Sequence, residues 1–392
     1  MLSRIAQFFR PAPPPPAPKR IDFDPSTIDA EGFFAELRAL RREVDQKLGD
    51  DDTAHVRKME RIARTAIAVG LATAWMGPNP VSAIALSLGR NTQWLLMHHV
   101  GHRGYDRVPG IPKRFTSRVF ARGKRRMIDW ADWMIPEAWM YEHNVLHHAN
   151  TGEQKDPDLI ERNAEPIRNA RVPLIVKYAW LGLFAANWRS YYYAPNTVRA
   201  WVESAPRKEG APALDYTKTL WLRSYLPYGA LQFVGLPLLF APLGPLAVGS
   251  ALVNSLAAEV LANFHTFLVV GPNHTGDDLV RFDERPASSA EAMVRQVVSS
   301  VNYATGTEAI DYAHLYLNYQ IEHHIWPDLP MHRYRELQPK VKALCAKYGI
   351  PYIQESVFRR ARKMIDVTVG QATMMRATRL EPFAEAVAVA AE

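Results

Sequence analysis

Eight of the thirteen histidines in this 392-residue chain fall within three short windows, residues 98–102, 143–148 and 320–324. The first reads His98-His99-Val100-Gly101-His102. On a helix, His98 and His102 are four apart and share a face, so both imidazoles can reach one ion. In the second, His143 and His147 repeat that spacing and His148 adds a neighbour. In the third, Gln320 shares a face with His323 and His324. A lone pair of this kind often caps a helix or sits satisfied in a core; three together point to a metal centre.

Eight imidazoles exceed what one ion needs, because a catalytic zinc takes three protein ligands and keeps a position open. The zinc-protease pattern His-Glu-x-x-His is absent, and two ions fit the number better. Imidazole suits iron, copper, nickel or zinc, so ligand type leaves the metal open. The single cysteine, Cys345, excludes intrachain disulfides and cysteine-based metal sites. A haem held by two histidines would place its ligands inside spanning helices, not beside them.

The elements that must carry these histidines are two apolar blocks. Residues 61–97 are broken at Gly77-Pro78-Asn79-Pro80, and residues 225–270 at Ala241-Pro242-Leu243-Gly244-Pro245. Each reads as two apolar helices joined by a tight turn, and a spanning helix needs ~20 residues. The turns carry no charge, whereas Arg57 to Arg64 and Arg103 to Arg126 flank the first block with basic residues. The positive-inside tendency then puts both termini and the middle segment in the cytoplasm. The expected fold is an all-α integral membrane protein of the cytoplasmic membrane. Four transmembrane helices in two hairpins carry a large cytoplasmic helical cap on which the three windows converge.

Composition agrees with a membrane-bound domain carrying a polar cap. Charged residues are 22%, apolar ones 48% and mean hydropathy −0.20, which excludes a disordered chain and a transporter held mostly in lipid. The net charge of +7 fits the anionic cytoplasmic leaflet, so no nucleic-acid partner is expected. Residues 1–28 read as a proline-rich disordered segment without a signal peptide, the run from Pro11 to Pro18 being an exposed tether. Phe33, Phe34, Leu37, Leu40, Val44 and Leu48 give an amphipathic helix packed on the main domain, residues 29–352. Residues 353–392 read as a loose helical or disordered tail.

The segment Trp139-Met-Tyr-Glu-His143-Asn-Val-Leu-His147-His148-Ala-Asn-Thr, with Asp156-Pro157-Asp158, resembles the second histidine box of membrane fatty acid desaturases. Leu317-Asn-Tyr-Gln320-Ile-Glu322-His323-His324-Ile-Trp-Pro resembles the third box of the front-end and linoleoyl-CoA-type branch, where glutamine replaces the first histidine. The similarity continues through His332-Arg-Tyr, Leu337-Gln-Pro and Ala346 to Tyr352, and covers roughly Phe33 to Tyr352. It implies two iron ions in a non-haem di-iron centre, dioxygen as co-substrate, and insertion of a double bond into an acyl chain of a lipid or acyl-CoA. Carried over box by box, His98, His102, His143, His147, His148, His323 and His324 would ligate the irons. His274 is the expected additional ligand and His265 its competitor. Glu259 carries the same ambiguity as His265. Gln320 is a possible further ligand or supporting partner. Asp156, Asp158 and Glu322 are expected to orient ring N–H groups, while His99, His314 and His332 are supporting or structural.

Two features depart from that pattern. Three residues separate His143 from His147, where front-end members typically have two. No His-Pro-Gly-Gly motif of cytochrome b5 appears near the N-terminus, so a separate donor of ferredoxin or cytochrome b5 type is expected. The same boxes serve hydroxylases, which are the alternative reading.

Overall fold

A computed structural model describes residues 11–206, 210, 212–378 and 380; the expectations for residues 1–10 and 384–392 lie outside them. Helix α1 (Ala30–Asp45) starts where the Asp29 side chain accepts the Gly32 N–H. Its apolar stripe Phe33, Leu37, Leu40 and Val44 is buried against Tyr334, Leu337 and Val341, at ~1.5–3 kcal/mol for each fully buried side chain. The amphipathic helix therefore packs on the body, as its periodicity suggests.

Helices α2 (Asp50–Thr73) and α3 (Pro80–Gly101) form the first hairpin. They approach closely because glycines face apolar side chains: a Cβ on Gly70 would lie 2.6 Å from Leu86 Cγ, and one on Gly89 2.5 Å from Ile67 Cγ1. At the turn, Pro80 opens α3 and Asn79 caps it by accepting the Ser82 N–H.

The next elements are α4 (Pro136–Tyr141), α5 (Leu174–Trp188) and α6 (Ala194–Ser204). The second hairpin follows. Helix α7 (Tyr216–Leu243) contains two wide-turn stretches, Leu220–Tyr225 and Leu231–Gly235, each just before a proline at 227 or 237. Proline lacks an N–H and its ring crowds the carbonyl four residues back, and widening the turn relieves both problems. After Gly244, whose φ of 96° only glycine adopts easily, comes α8 (Pro245–Val270).

Among the described residues two helical spans, Tyr216–Leu243 and Pro245–His274, are long and apolar enough to cross a membrane. The first-hairpin helices fall short of that measure. Three aspartates open α2, and α3 carries Arg90, Asn91, Gln93 and His98. Large apolar side chains stand outward on both hairpins, among them Val81, Ile84, Leu239 and, 87% exposed, Leu246. Buried polar groups fasten the hairpins together. Arg90 donates to Glu259 and Gln232, and Tyr228, Trp133 and Asn263 also donate to the Glu259 carboxylate. Glu259 is therefore a satisfied structural acceptor.

The cap is completed by α9 (Ser289–Val298), α10 (Gln320–Ile325), α11 (Tyr334–Lys347) and α12 (Val357–Thr368). The expectation of an all-α fold needs one correction, since β1 (Val280–Phe282) pairs in parallel with β2 (Met375–Ala377), Val280 opposite Met375. That pairing builds part of the expected tail into the body. Fully buried Arg360 of α12 also anchors it, donating to both Asp278 oxygens at 2.7 Å. The proline-rich segment is likewise tied down: Ala12 N–H donates to Val172 O, and Arg376 N–H donates to Lys19 O.

Candidate metal centre

The first box ends α3. The chain leaves through a left-handed Arg103 (φ 66°), with Arg103 N–H on Val100 O and Gly104 N–H on His99 O. These two bonds satisfy the last carbonyls of the helix and fix His98 and His102 at its rim. Gly104 has no room for a side chain, since a Cβ would stand 2.7 Å from Leu329 O. That contact presses the first box onto the loop that follows the third.

The second box continues α4 as a wider helix, Glu142–His147, in which His148 N–H reaches back five residues to His143 O. This is where the third intervening residue goes: the turn widens to hold it. His143 and His147 still share a face, their rings stacked at 5.0 Å and 17°. Asn144 Nδ2 donates to Gly101 O at 2.9 Å and ties this box to the first.

The third box is α10. Its position is set by Asn302, whose Oδ1 accepts the Ile321 N–H at 2.9 Å while its Nδ2 donates to Glu322 at 2.7 Å.

The histidines converge in two groups. Ring nitrogens of His98, His102, His143 and His323 lie within 4.8 Å of one another, as do those of His147, His274 and His324. A third set, His143, His147 and Asp158, overlaps both. His148 sits between the groups, its ring centroid 4.5 Å from His102 and 4.2 Å from His324.

Several of these rings are held from outside by one nitrogen. His147 Nδ1 donates to Asp156 at 2.8 Å and His274 Nδ1 to Ser299 O at 3.0 Å. His324 Nδ1 donates to Gln296 Oε1 at 2.9 Å, and Tyr334 Oη lies 3.3 Å from His323 Nδ1. Between the first and third boxes His98 Nε2 meets His323 Nε2 at 3.0 Å, and several other ring nitrogens are left without a partner. The buried Nδ1 of His98, the Nε2 of His102, His143 and His324, and both nitrogens of His148 have no hydrogen-bond partner. Leaving a buried polar atom unpaired costs ~1–3 kcal/mol. Imidazole nitrogens brought this close together, several of them unpaired, fit bound cations. Burial, followed by mutual repulsion, holds His102, His143, His148, His323 and His324 far below the ordinary histidine value, so they are neutral with lone pairs free. His147 differs: burial opposes its charge, but Asp156 and Asp158 outweigh this and hold it above the ordinary value.

Some expected residues stand elsewhere. His265 hydrogen-bonds through both ring nitrogens, to Asn91 and to Ala313 O, and lies in none of the groups. Glu322 orients no ring, because its oxygens accept from Asn302 and Tyr352 OH on another side of α10. Gln320 stands beside His274, its Nε2 2.8 Å from His274 Nε2 and its Oε1 accepting from Asn273. His99 is buried against His323 and Tyr334; His314 bonds Ile310 O, and His332 faces Asp52.

Two contributors carry no signal in the histidine spacing. Gln296 on α9 donates to His148 O while accepting from His324, and so joins two boxes with one amide. Glu142 is buried with neither carboxylate oxygen paired, and burial, with Asp158 and Asp156 nearby, pushes its pKa well up. Its place next to His143 was the only clue.

An apolar cavity reaches the site. Trp94, Leu181, Trp188, Phe267 and Val270 line it, and it ends on His98, His143, His147 and His274.

Comparison with known proteins agrees with this geometry. Residues 73–356 match the family described as fatty acid desaturase. The chain is 26% identical over 340 residues to "Fatty acid desaturase 3" of Bos taurus, covering 82% of this chain and 69% of that protein. It is 24% identical over 344 residues to "NADPH-dependent stearoyl-CoA 9-desaturase" of Mycobacterium tuberculosis, covering 83% and 75%. Buried histidine clusters at the end of an apolar cavity, within a match that spans most of the chain, make this protein an enzyme of the fatty acid desaturase family.

Proposed function

We propose that this desaturase works through two iron ions, one held by His98, His102, His143 and His323, the other by His147, His274 and His324, with His148 between them. The observation that carries this reading is the convergence of histidine ring nitrogens into two groups, within 4.8 Å of one another in each, with the Nε2 atoms of His102, His143 and His324 unpaired. When bound, the metal pair with dioxygen and two electrons supplies the oxidising power that an unactivated methylene requires.

The protein's part is placement. Trp94, Leu181, Trp188 and Phe267 hold an extended acyl chain and exclude water. Asp156, Ser299 and Gln296 fix the tautomers of His147, His274 and His324, so that each presents a lone pair inward. The acyl chain belongs to a lipid or an acyl thioester, and the electrons come from a separate donor protein of ferredoxin or cytochrome b5 type.

We further infer that the first hairpin accompanies the second into the membrane, giving four spans with the histidine sites at the cytoplasmic face. Outward apolar side chains on α2 and α3 support this, as do the uncharged turns and basic flanks.

The test is lipid analysis of host membranes expressing the chain, with His324→Ala as control and metal analysis of purified protein. A new double bond that the variant lacks, with about two irons per chain, is the expected result. A hydroxylated chain would make it a hydroxylase, and zinc in place of iron would refute the centre.

A further inference from the structure

The cavity at the histidines has a neighbour. An outer groove between α5 and α7 is lined by Trp133, Leu183, Tyr191, Trp221 and Tyr225, and two further lining residues, Trp180 and Phe184, also line the inner cavity. They sit one turn apart on α5 and stack at 5.1 Å and 24°. Phe184 is edge-on to Tyr192 at 5.7 Å and to Phe267 at 5.9 Å. Leu183 and Tyr191 of the groove are 69% and 68% exposed, so the groove faces outward and is apolar.

Helix α5 also gives a direction. Its Trp188 end belongs to the histidines: Trp188 stacks on Tyr193 at 5.2 Å, and Tyr193 Oη lies 3.5 Å from His143 Nδ1. Trp180 is eight residues nearer the start of α5, roughly 12 Å away along a helix rising 1.5 Å per residue. The two stacked rings therefore line both the inner cavity and the open groove.

We propose that the Trp180–Phe184 pair is the specificity-determining wall of the acyl cavity, setting how many carbons fit beyond the reacting position. This rests on the acyl-chain reading of the cavity. A chain longer than the wall permits must displace a stacked aromatic pair, itself braced by Phe267 and Tyr192. With the wall removed, that chain continues along apolar surface in the groove instead of meeting water.

The experiment measures equilibrium binding of radiolabelled saturated acyl chains of graded length to the purified full-length protein, and the product profile in host membranes. The parent is compared with Phe184→Ala, Trp180→Ala and the enlarging Phe184→Trp. In the alanine variants affinity for chains longer than the parent accepts should rise about fourfold per added methylene that finds the groove, while Phe184→Trp shifts the optimum to shorter chains. Because one change opens the wall and the other thickens it, misfolding cannot produce both shifts. An unchanged length profile in folded variants overturns the proposal. So does a gain equal at all lengths, which would make the pair an entry gate. Binding reads the wall without turnover, so a parent that forms no double bond would count against the proposed reaction alone.

Discussion

Replacing Asp156 with asparagine separates the two proposed metal sites. The carboxylate accepts the His147 Nδ1 proton at 2.8 Å, the Gly152 N–H at 3.1 Å and the Asp158 N–H at 2.8 Å. An amide has one accepting oxygen, and its NH2 would face one of these donors. Because one oxygen accepts from both His147 and Asp158, the amide oxygen stays there and the NH2 faces the Gly152 N–H, so His147 exchanges a charged acceptor for a neutral one that holds its lone pair toward His274 and His324 less firmly. A hydrogen bond to a charged group contributes ~1.5–3 kcal/mol, which is about 10- to 150-fold in affinity, matching the 10- to 100-fold expected for partners that orient metal ligands. His98, His102, His143 and His323 make no hydrogen bond to Asp156, so their ion should be untouched. The assay is chelator titration of the metal-loaded, purified protein. One ion should leave at a chelator concentration about 10- to 100-fold lower than in the parent, and the other at the parental concentration. Equal weakening of both ions, or of neither, in a variant that melts like the parent would refute the assignment of His147 to one site and of Asp156 as its support.

Other perturbations give independent checks. Glu322 is buried and its pKa is raised to about 7, so the folded state keeps a proton that the unfolded state has lost. Stability from this group is present below its unfolded pKa and lost as pH rises toward 7, by about 3 kcal/mol. Glu322→Gln, which keeps an acceptor for Asn302, should flatten that fall in melting curves recorded from pH 5 to 8. Asp132→Ala removes the partner of fully buried Arg189, 3.0 Å away, and should destabilise by about 3–5 kcal/mol, read as an early thermal transition in detergent. Gly104→Ala drives a Cβ against Leu329 O, so it should lower the melting temperature and metal content together. Retention of both would show that the first box is not pressed on that loop.

Much of the site was legible because metal ligands leave a sequence pattern. Histidines at helical spacing can share a point only if their helices converge, and His98, His143, His147 and His324 do so. His274 stood alone in sequence, and resemblance rather than spacing favoured it over His265. The supporting partners Gln296, Ser299 and Tyr334 could not be read, because a hydrogen bond between distant segments has no periodicity. Glu322 misled for a simple reason: neighbours on a helix point about 100° apart, so adjacency to His323 turned its carboxylate elsewhere. In the first hairpin, residues such as Arg90 and Asn91 lowered apolarity because they serve the buried network joining the hairpins. The pairing of β2 with β1 was invisible, since three residues give no alternation to detect.

The wide turn at Glu142–His147 also bears on how insertions are absorbed. An extra residue in a regular helix would swing everything after it by about 100°, and Thr151 and Asp156 would no longer meet His324 and His147. Stored as girth, the same residue changes the local diameter and leaves the downstream bearing nearly intact. Exposed Val145 lies in the middle of that bulge. Deleting it would let the helix tighten to its ordinary pitch with the flanking anchors still aligned, so the number of residues between these histidines can drift by one while the cage they build stays the same shape.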